Sequence, residues 1–317
     1  MAMLGTNKPI PKSIAVFGAA GHIGLPLARH VRYRAPEVEL RLLSSSAEKS
    51  REIEARVPGA RCLVADLFDP ASLEETLDGV EGVFVVTPAP FDEETAMKNL
   101  VGALRKVARL SHMVRIVGYE AESLARRVPE RLRGPKGIGD QHYVAKAILE
   151  ESDLPVTYLN IGATFMDNLL LLAPRIKSTG TLVWPDRLIS FIDGRDVGEI
   201  AANLLLSPDE RHIHQFLTIN NGQDLLESSE VAAILSDVLK TRITHVPDRQ
   251  AFVDAYGPLM AQRDGDEEAA EKVLEFFDYE KSHSTFLSLN DRAARLLGRQ
   301  PTTVRAWLLE HRQHFAD

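Results

Sequence analysis

Ser13-Ile-Ala-Val-Phe-Gly-Ala-Ala-Gly-His-Ile-Gly24 sets a short apolar run directly before three glycines spaced three apart. A run of this length that breaks into glycines reads as a buried strand, a tight turn and the start of a helix. Glycine lets backbone approach backbone, which leaves room for a phosphate group on the helix N-terminus, where N–H groups lack internal partners. The spacing is G-x-x-G-x-x-G, not G-x-G-x-x-G, and turns also use glycine for purely structural reasons. The surrounding chain has to decide between the two.

Leu25, Leu27, Ala28 and Val31 continue at helical spacing, with Pro26 tolerated in the first turn and Ala35-Pro36 closing the helix. Apolar runs recur at 37–44, 60–66, 82–88, 112–118 and 156–162, with helical stretches at 72–78, 93–110 and 140–153. Six strands alternating with helices, each apolar enough to be covered on both faces, predict an α/β fold with a doubly wound parallel sheet of Rossmann type. Residues 1–12, with Gly5, Pro9 and Pro11, read as a disordered lead-in, and 13–162 as a dinucleotide-binding domain. Beyond it, 163–317 reads as a smaller mixed α/β lobe with segments returning to the main domain. Short strands are expected there at 188–193, 215–220 and 243–246, and helices at 230–240, 267–277 and 303–315.

The 37 basic and 45 acidic side chains leave a formal charge of -8, which argues against a general binder of nucleic acid or anionic membrane. The single Cys62 cannot form an internal disulfide, fits a cytoplasmic address, and reads as a small buried hydrophobe. Residues 1–12 lack the apolar core of a signal peptide, and the most apolar stretch, 168–173, is far too short to span a bilayer. His212 with His214 and His311 with His314 have no companion ligands, so no metal site is expected.

Ligands of doubly wound sheets bind outside the carboxyl ends of the strands. That rule nominates Gly18, Ala20, Gly21, His22, Ile23 and Gly24 in the first turn, then Ser44, Ser45 and Lys49 after the second strand. Asp66 and Leu67 follow the third strand, Thr87, Pro88 and Ala89 the fourth, Gly118 and Tyr119 the fifth, and Ile161 and Gly162 the sixth. Ser44 stands twenty residues beyond Gly24, where an NAD-selective site places a carboxylate on the ribose diol. Serines followed by Lys49 and Arg51 suit a 2′-phosphate instead, so NADPH is expected over NADH. The alternative is that Ser44 caps the next helix and Lys49 is solvated. Asp66 can reach an adenine amino group or simply form a turn, Asp69-Pro70 being the better cap. His142 and Lys146, four apart on a helix begun by Asp140, share one face, which taken alone is more often a solvated face than a site. The basic run 126–136 reads as solvated, in a connection where a lid would sit.

In this order the motifs resemble the NmrA-like branch of the atypical short-chain dehydrogenases/reductases. The resemblance covers nearly the whole chain. It rests on Val16-Phe-Gly-Ala-Ala-Gly-His-Ile-Gly24, Ala65-Asp-Leu-Phe-Asp-Pro-Ala-Ser-Leu73, Gly82-Val-Phe-Val-Val-Thr-Pro88, His112-Met-Val-Arg-Ile116 and His142-x-x-x-Lys146. Leu154-Pro-Val-Thr-Tyr-Leu159, Phe165-Met-Asp-Asn-Leu169 and Ile192-Asp-Gly-Arg-Asp-Val-Gly198 extend it. Within the branch the chain looks most like bacterial NAD(P)H quinone reductases and triphenylmethane reductases. The resemblance implies a cytoplasmic oxidoreductase acting on a small molecule, as a possible homodimer, with Lys146 holding the nicotinamide ribose. Ordinary members carry a serine after the fifth strand and a tyrosine four residues before the lysine; here those places read Val117-Gly118 and His142.

Tyr143 stands three residues from Lys146 and is turned off that face. A cationic Lys146 one turn away disfavours the imidazolium, so His142 is expected to be neutral and a poor proton donor. Hydride transfer to a quinone, a dye cation or another electron-poor acceptor mainly needs orientation and a dry slot, expected from 87–91, Tyr119 and 160–165. The catalytic candidates are therefore Lys146, His142 and Tyr119. Phe165, Phe276 and Phe277 are expected in the core. The family also holds members that bind the cofactor and a regulatory partner protein without turnover, and the missing serine and tyrosine keep that reading open. A sugar-nucleotide epimerase is disfavoured, because it needs the same tyrosine.

Overall fold

The computed structural model describes residues 7–118, 128–135, 137, 140–281 and 288–316. The chain divides into two compact units. The first takes the described residues of Met1–Ala125, Gly134–Ile161 and Gly194–Thr218; the second takes those of Arg126–Arg133, Gly162–Asp193 and Ile219–Asp317.

In the first unit, strand and helix alternate as the apolar runs foretell: β1 Ser13–Phe17, α1 Gly24–Arg34, β2 Glu39–Ser44, α2 Ala47–Arg56, β3 Arg61–Val64, α3 Pro70–Leu77 and β4 Gly82–Val85. There follow α4 Glu93–Val107, β5 His112–Gly118, α5 Gln141–Glu150 and β6 Val156–Ile161, then the helix Gly194–Leu206. The sheet has seven strands, in the order Phe216–Ile219, β6, β5, β4, β1, β2, β3. Neighbours from β3 across to β6 pair in parallel. Every residue of β1 and β4 is buried, as the centre of a doubly covered sheet requires. The chain leaves β1 toward β3 and then returns to β4 on the other side, so the strand order reverses between β1 and β4. Asp69 caps α3 by accepting from the Ala71 N–H, with Pro70 at the first helical position, and Asp92 caps α4 through the Thr95 N–H.

Four expectations need correction. The sheet has seven strands, not six, because Phe216–Ile219 covers the edge left by β6, the Tyr158 N–H donating to the Gln215 carbonyl at 2.8 Å. At the opposite edge β3 is not covered on both faces: Arg61 and Val64 are exposed and Cys62 is only half-buried. The disordered lead-in does not extend over residues 7–12: Lys8 is buried, its ammonium donating to the Leu205 carbonyl at 3.0 Å, and Asn7 bridges to Asp209. Asp140 precedes α5 without capping it, its carboxylate accepting instead from the Gly134 N–H and the Gln141 side chain.

The second unit is mixed. Leu188–Ile192 pairs antiparallel with Leu225–Glu227 and parallel with Thr164–Phe165, and Thr181–Val183 pairs with Thr244–Val246. Its core includes Phe191, Leu235, Trp307 and Phe276. Helix Arg249–Asp264 escapes a sequence reading because Pro258 lies inside it, yet Asp248 caps its start and Gly265 its end. Among the described residues no helix is long and apolar enough to cross a membrane.

Candidate functional site

Gly18 leaves β1 with φ +74, and a Cβ there would stand 2.5 Å from Val86 Cγ1. A Cβ on Gly24 would stand 2.3 Å from the Gly18 carbonyl oxygen. That carbonyl accepts the Gly21 N–H at 3.0 Å, and the Gly21 carbonyl accepts the Leu25 N–H at 3.1 Å. The glycines therefore make one closed turn that delivers the chain into α1, and side chains at either end of it are sterically refused. The first turn of α1 carries no acidic residue, and Ile23 contributes no capping side chain. Backbone N–H groups at such a terminus suit a phosphate.

After β2, the Ser44 hydroxyl donates to the Ser46 carbonyl and meets the Ser50 hydroxyl at 2.8 Å. The helix cap is Ser46, which accepts from the Lys49 N–H at 3.3 Å. Capping thus falls two residues later than the sequence alternative put it. Ser45, Lys49 and Arg51 are exposed. Asp66 forms a turn, accepting the Phe68 N–H at 2.9 Å, and Phe68 lies 5.2 Å from the Phe91 ring.

The ends of β4 and β5 hold a cluster that sequence reasoning missed. Arg115 is wholly buried in β5, opposite Val85 in the register. Its Nη2 lies 2.5 Å from Glu93 Oε1 and donates to Thr87 Oγ1 at 2.9 Å. The Thr87 hydroxyl donates in turn to Glu93 Oε1. Glu93 is 1% exposed, and its backbone N–H donates to Gln141 Oε1 at 3.3 Å, which ties the start of α4 to the start of α5. An arginine inside His112-Met-Val-Arg-Ile116, an otherwise apolar strand, was the signal available in the sequence.

Gly118 and His142 do meet: a Cβ on Gly118 would lie 3.3 Å from the His142 ring. Burial, and then the Arg115 charge, push the imidazole down to about 3. The direction is the expected one, but burial is its larger cause, and the cation that adds to it is Arg115, not Lys146. Lys146 reaches Glu150 Oε1 at 2.5 Å and lies 5.5 Å from the Tyr158 ring centre and 5.6 Å from that of Phe216. A ribose contact by Lys146 would have to compete with these partners. Asn160 is buried and donates to Thr218 at 3.1 Å. Tyr119 lies outside the described residues, as do Arg126, Arg127 and Lys136 of the basic run. Within that run Arg131 pairs with Glu268 and Glu275, so it is not simply solvated. Gly162 belongs to the second unit.

An open parallel sheet with a glycine turn at its strand reversal defines the class, a doubly wound nucleotide-binding fold. The chain belongs to the NmrA-like family, which its sequence matches from residue 11 to 308. It is 32% identical over 225 residues to an NAD(P)H azoreductase of Xenophilus azovorans, covering 70% of this chain and 72% of that one. It is 27% identical over 314 residues to a (4-alkanoyl-5-oxo-2,5-dihydrofuran-3-yl)methyl phosphate reductase of Streptomyces griseus, covering 96% and 99%. Among solved structures, the Escherichia coli NADPH-dependent quinone oxidoreductase with NADPH superposes with a TM-score of 0.75 at 18% identity, over 95% of this chain and 99% of that one. Citrobacter triphenylmethane reductase with NADP(H) gives 0.75 at 19%, over 94% and 99%. The negative transcriptional regulator NmrA with NADP gives 0.71 at 19%, over 95% of each. These three structures share the fold.

Proposed function

We propose that this protein is an NAD(P)H-dependent reductase of a small electron-poor molecule of quinone, azo or dye type, with NADPH the preferred cofactor. The observation that carries the reading is the glycine turn at the strand reversal, packed on itself so that it delivers the start of α1, with no acidic residue in its first turn and no capping side chain, to the carboxyl end of β1. The reductase relatives support the reaction class. Ser45, Lys49 and Arg51 are the groups that would meet a 2′-phosphate; Ser44 is already committed to Ser46 and Ser50. Thr87, Pro88, Ala89, Gly118 and Ile161 are the remaining assignments at the strand ends of the first unit. Bound cofactor would supply the hydride. The chain's own part is to orient it, exclude water and withhold protons, since a neutral His142 does not act as an acid near pH 7. Lys146 and Tyr119 remain the proposed contacts to ribose and substrate.

The test is purified protein with NADPH and a panel of quinones, azo dyes and triphenylmethane dyes, followed by nicotinamide absorbance. Oxidation above background is expected, with NADH slower. A second reading, a cofactor sensor without turnover, is favoured by Val117-Gly118 and His142 standing where the enzymes of the family carry their serine and tyrosine. Tight NADP(H) binding with no oxidation of any acceptor would select it.

A further inference from the structure

Arg115 poses an energetic question. A guanidinium with no exposure costs several kcal/mol in desolvation, and a buried ion pair is often no more stable than apolar residues of the same volume. The pair even leaves Glu93 Oε2 and Arg115 Nε buried without hydrogen-bond partners. It joins β5 to the first residue of α4, and between them stands one further group, the Thr87 hydroxyl, two residues beyond the end of β4.

A hydroxyl has one proton to donate and two lone pairs to accept with. Thr87 spends its proton on Glu93, because a carboxylate paired with a guanidinium only accepts. One lone pair receives Arg115 Nη2 at 2.9 Å. What remains is a single lone pair on a residue 8% exposed, at a strand end where ligands of this fold class bind. We propose that the Arg115–Glu93 pair fixes Thr87 as a hydrogen-bond acceptor, so that the ligand group seated at the end of β4 is a donor. On the nucleotide reading above, on which this rests, the donor is either a ribose hydroxyl or the carboxamide N–H of the nicotinamide. Arg115 and Glu93 act as positioning residues: they reach the ligand only through Thr87.

The experiment compares NADPH dissociation constants for the wild type, Thr87→Val, Thr87→Ser and Glu93→Gln by fluorescence titration. Thr87→Val keeps the side-chain shape and leaves the ion pair in place. It is expected to bind about tenfold more weakly, the loss of one hydrogen bond to a buried partner, with Thr87→Ser restoring wild-type binding. Glu93→Gln, whose amide can donate to Thr87 and free its proton, is expected to weaken binding as Thr87→Val does. The 3-acetylpyridine analogue of NADPH, which lacks the carboxamide N–H, separates the two donors. If the partner is the carboxamide, wild type and Thr87→Val bind the analogue equally; if it is a ribose hydroxyl, the tenfold difference persists. NADPH binding unchanged in both Thr87→Val and Glu93→Gln, with wild type binding tightly, overturns the acceptor assignment alone. Wild type that binds no nucleotide overturns the proposed function as well.

Discussion

Each unit buries an arginine against a glutamate, and the two pairs are solved differently. In the first unit Arg115 and Glu93 are 0% and 1% exposed, and the guanidinium also serves Thr87. In the second, Arg187 lies 2.7 Å from Glu280 and 4.0 Å over the Phe277 ring, and burial outweighs its charge, pushing the Glu280 carboxyl up to about 7. The first pair is locked to a third group, the Thr87 hydroxyl, which accepts from the guanidinium and donates to the same carboxylate oxygen. The second stands at a balance point, where its carboxyl can take up a proton near neutral pH. Two pairs of the same residue types thus sit in different surroundings, a shared hydroxyl in one and an aromatic face in the other.

The contrast can be broken most strongly at Arg115. Arg115→Met leaves the Glu93 carboxylate buried without its cation and should cost about 3–5 kcal/mol, read from urea unfolding midpoints. Arg115→Met with Glu93→Leu should recover most of that loss. A single variant no worse than the double would show that the pair is not locked. Arg187→Met should cost less, about 1–2 kcal/mol, because Glu280 can neutralise itself, and the cost should grow from pH 6 to pH 8.5.

Glu280 also sets a pH slope. Its carboxyl is raised in the folded state above its ordinary value, so the native protein holds the proton more tightly than the unfolded chain. The resulting stability is present below about pH 4.5 and is lost as pH rises to about 7. Glu280→Gln should therefore flatten the fall in melting temperature across that window; an unchanged slope would place the titration elsewhere. His142 runs the opposite way. Its imidazole is depressed, so its contribution holds above pH 6.5 and is lost as pH falls toward 3. Carbon-13 spectra of labelled histidine should show no His142 titration between pH 5 and pH 8. The smallest effect belongs to the partly exposed Lys146–Glu150 pair, where Glu150→Gln should change stability by less than about 0.5 kcal/mol, measured by thermal melting.

The first unit was legible because its information is local. A four- to seven-residue apolar run, a cap such as Asp69-Pro70 and a glycine turn each act within one or two turns of chain, and β1, β5 and α3 appear close to where those signals put them. Phe216–Ile219 was read as a short strand, but its place beside β6 depends on which sheet edge lies open. Helix Arg249–Asp264 carries a proline and little amphipathic pattern, so nothing local announces it. At the site, the family resemblance put Gly118 and His142 in the places of the serine and tyrosine, and the two meet, whereas Ser44 could not be known to spend its hydroxyl on Ser50.

What the sequence determined by itself was the order of strands and helices and the glycine turn after β1, consequences of residue types at short spacing; that a serine and a tyrosine are missing came from the family resemblance. Tertiary structure alone decided that burial, with Arg115 beside it, depresses His142, which partners hold Lys146, and that Arg115, Glu93 and Thr87 form one network. Arg115 stands 22 residues beyond Glu93 in the chain, and a buried charge finds such a partner only when β5 and the start of α4 pack together and remove the water between them.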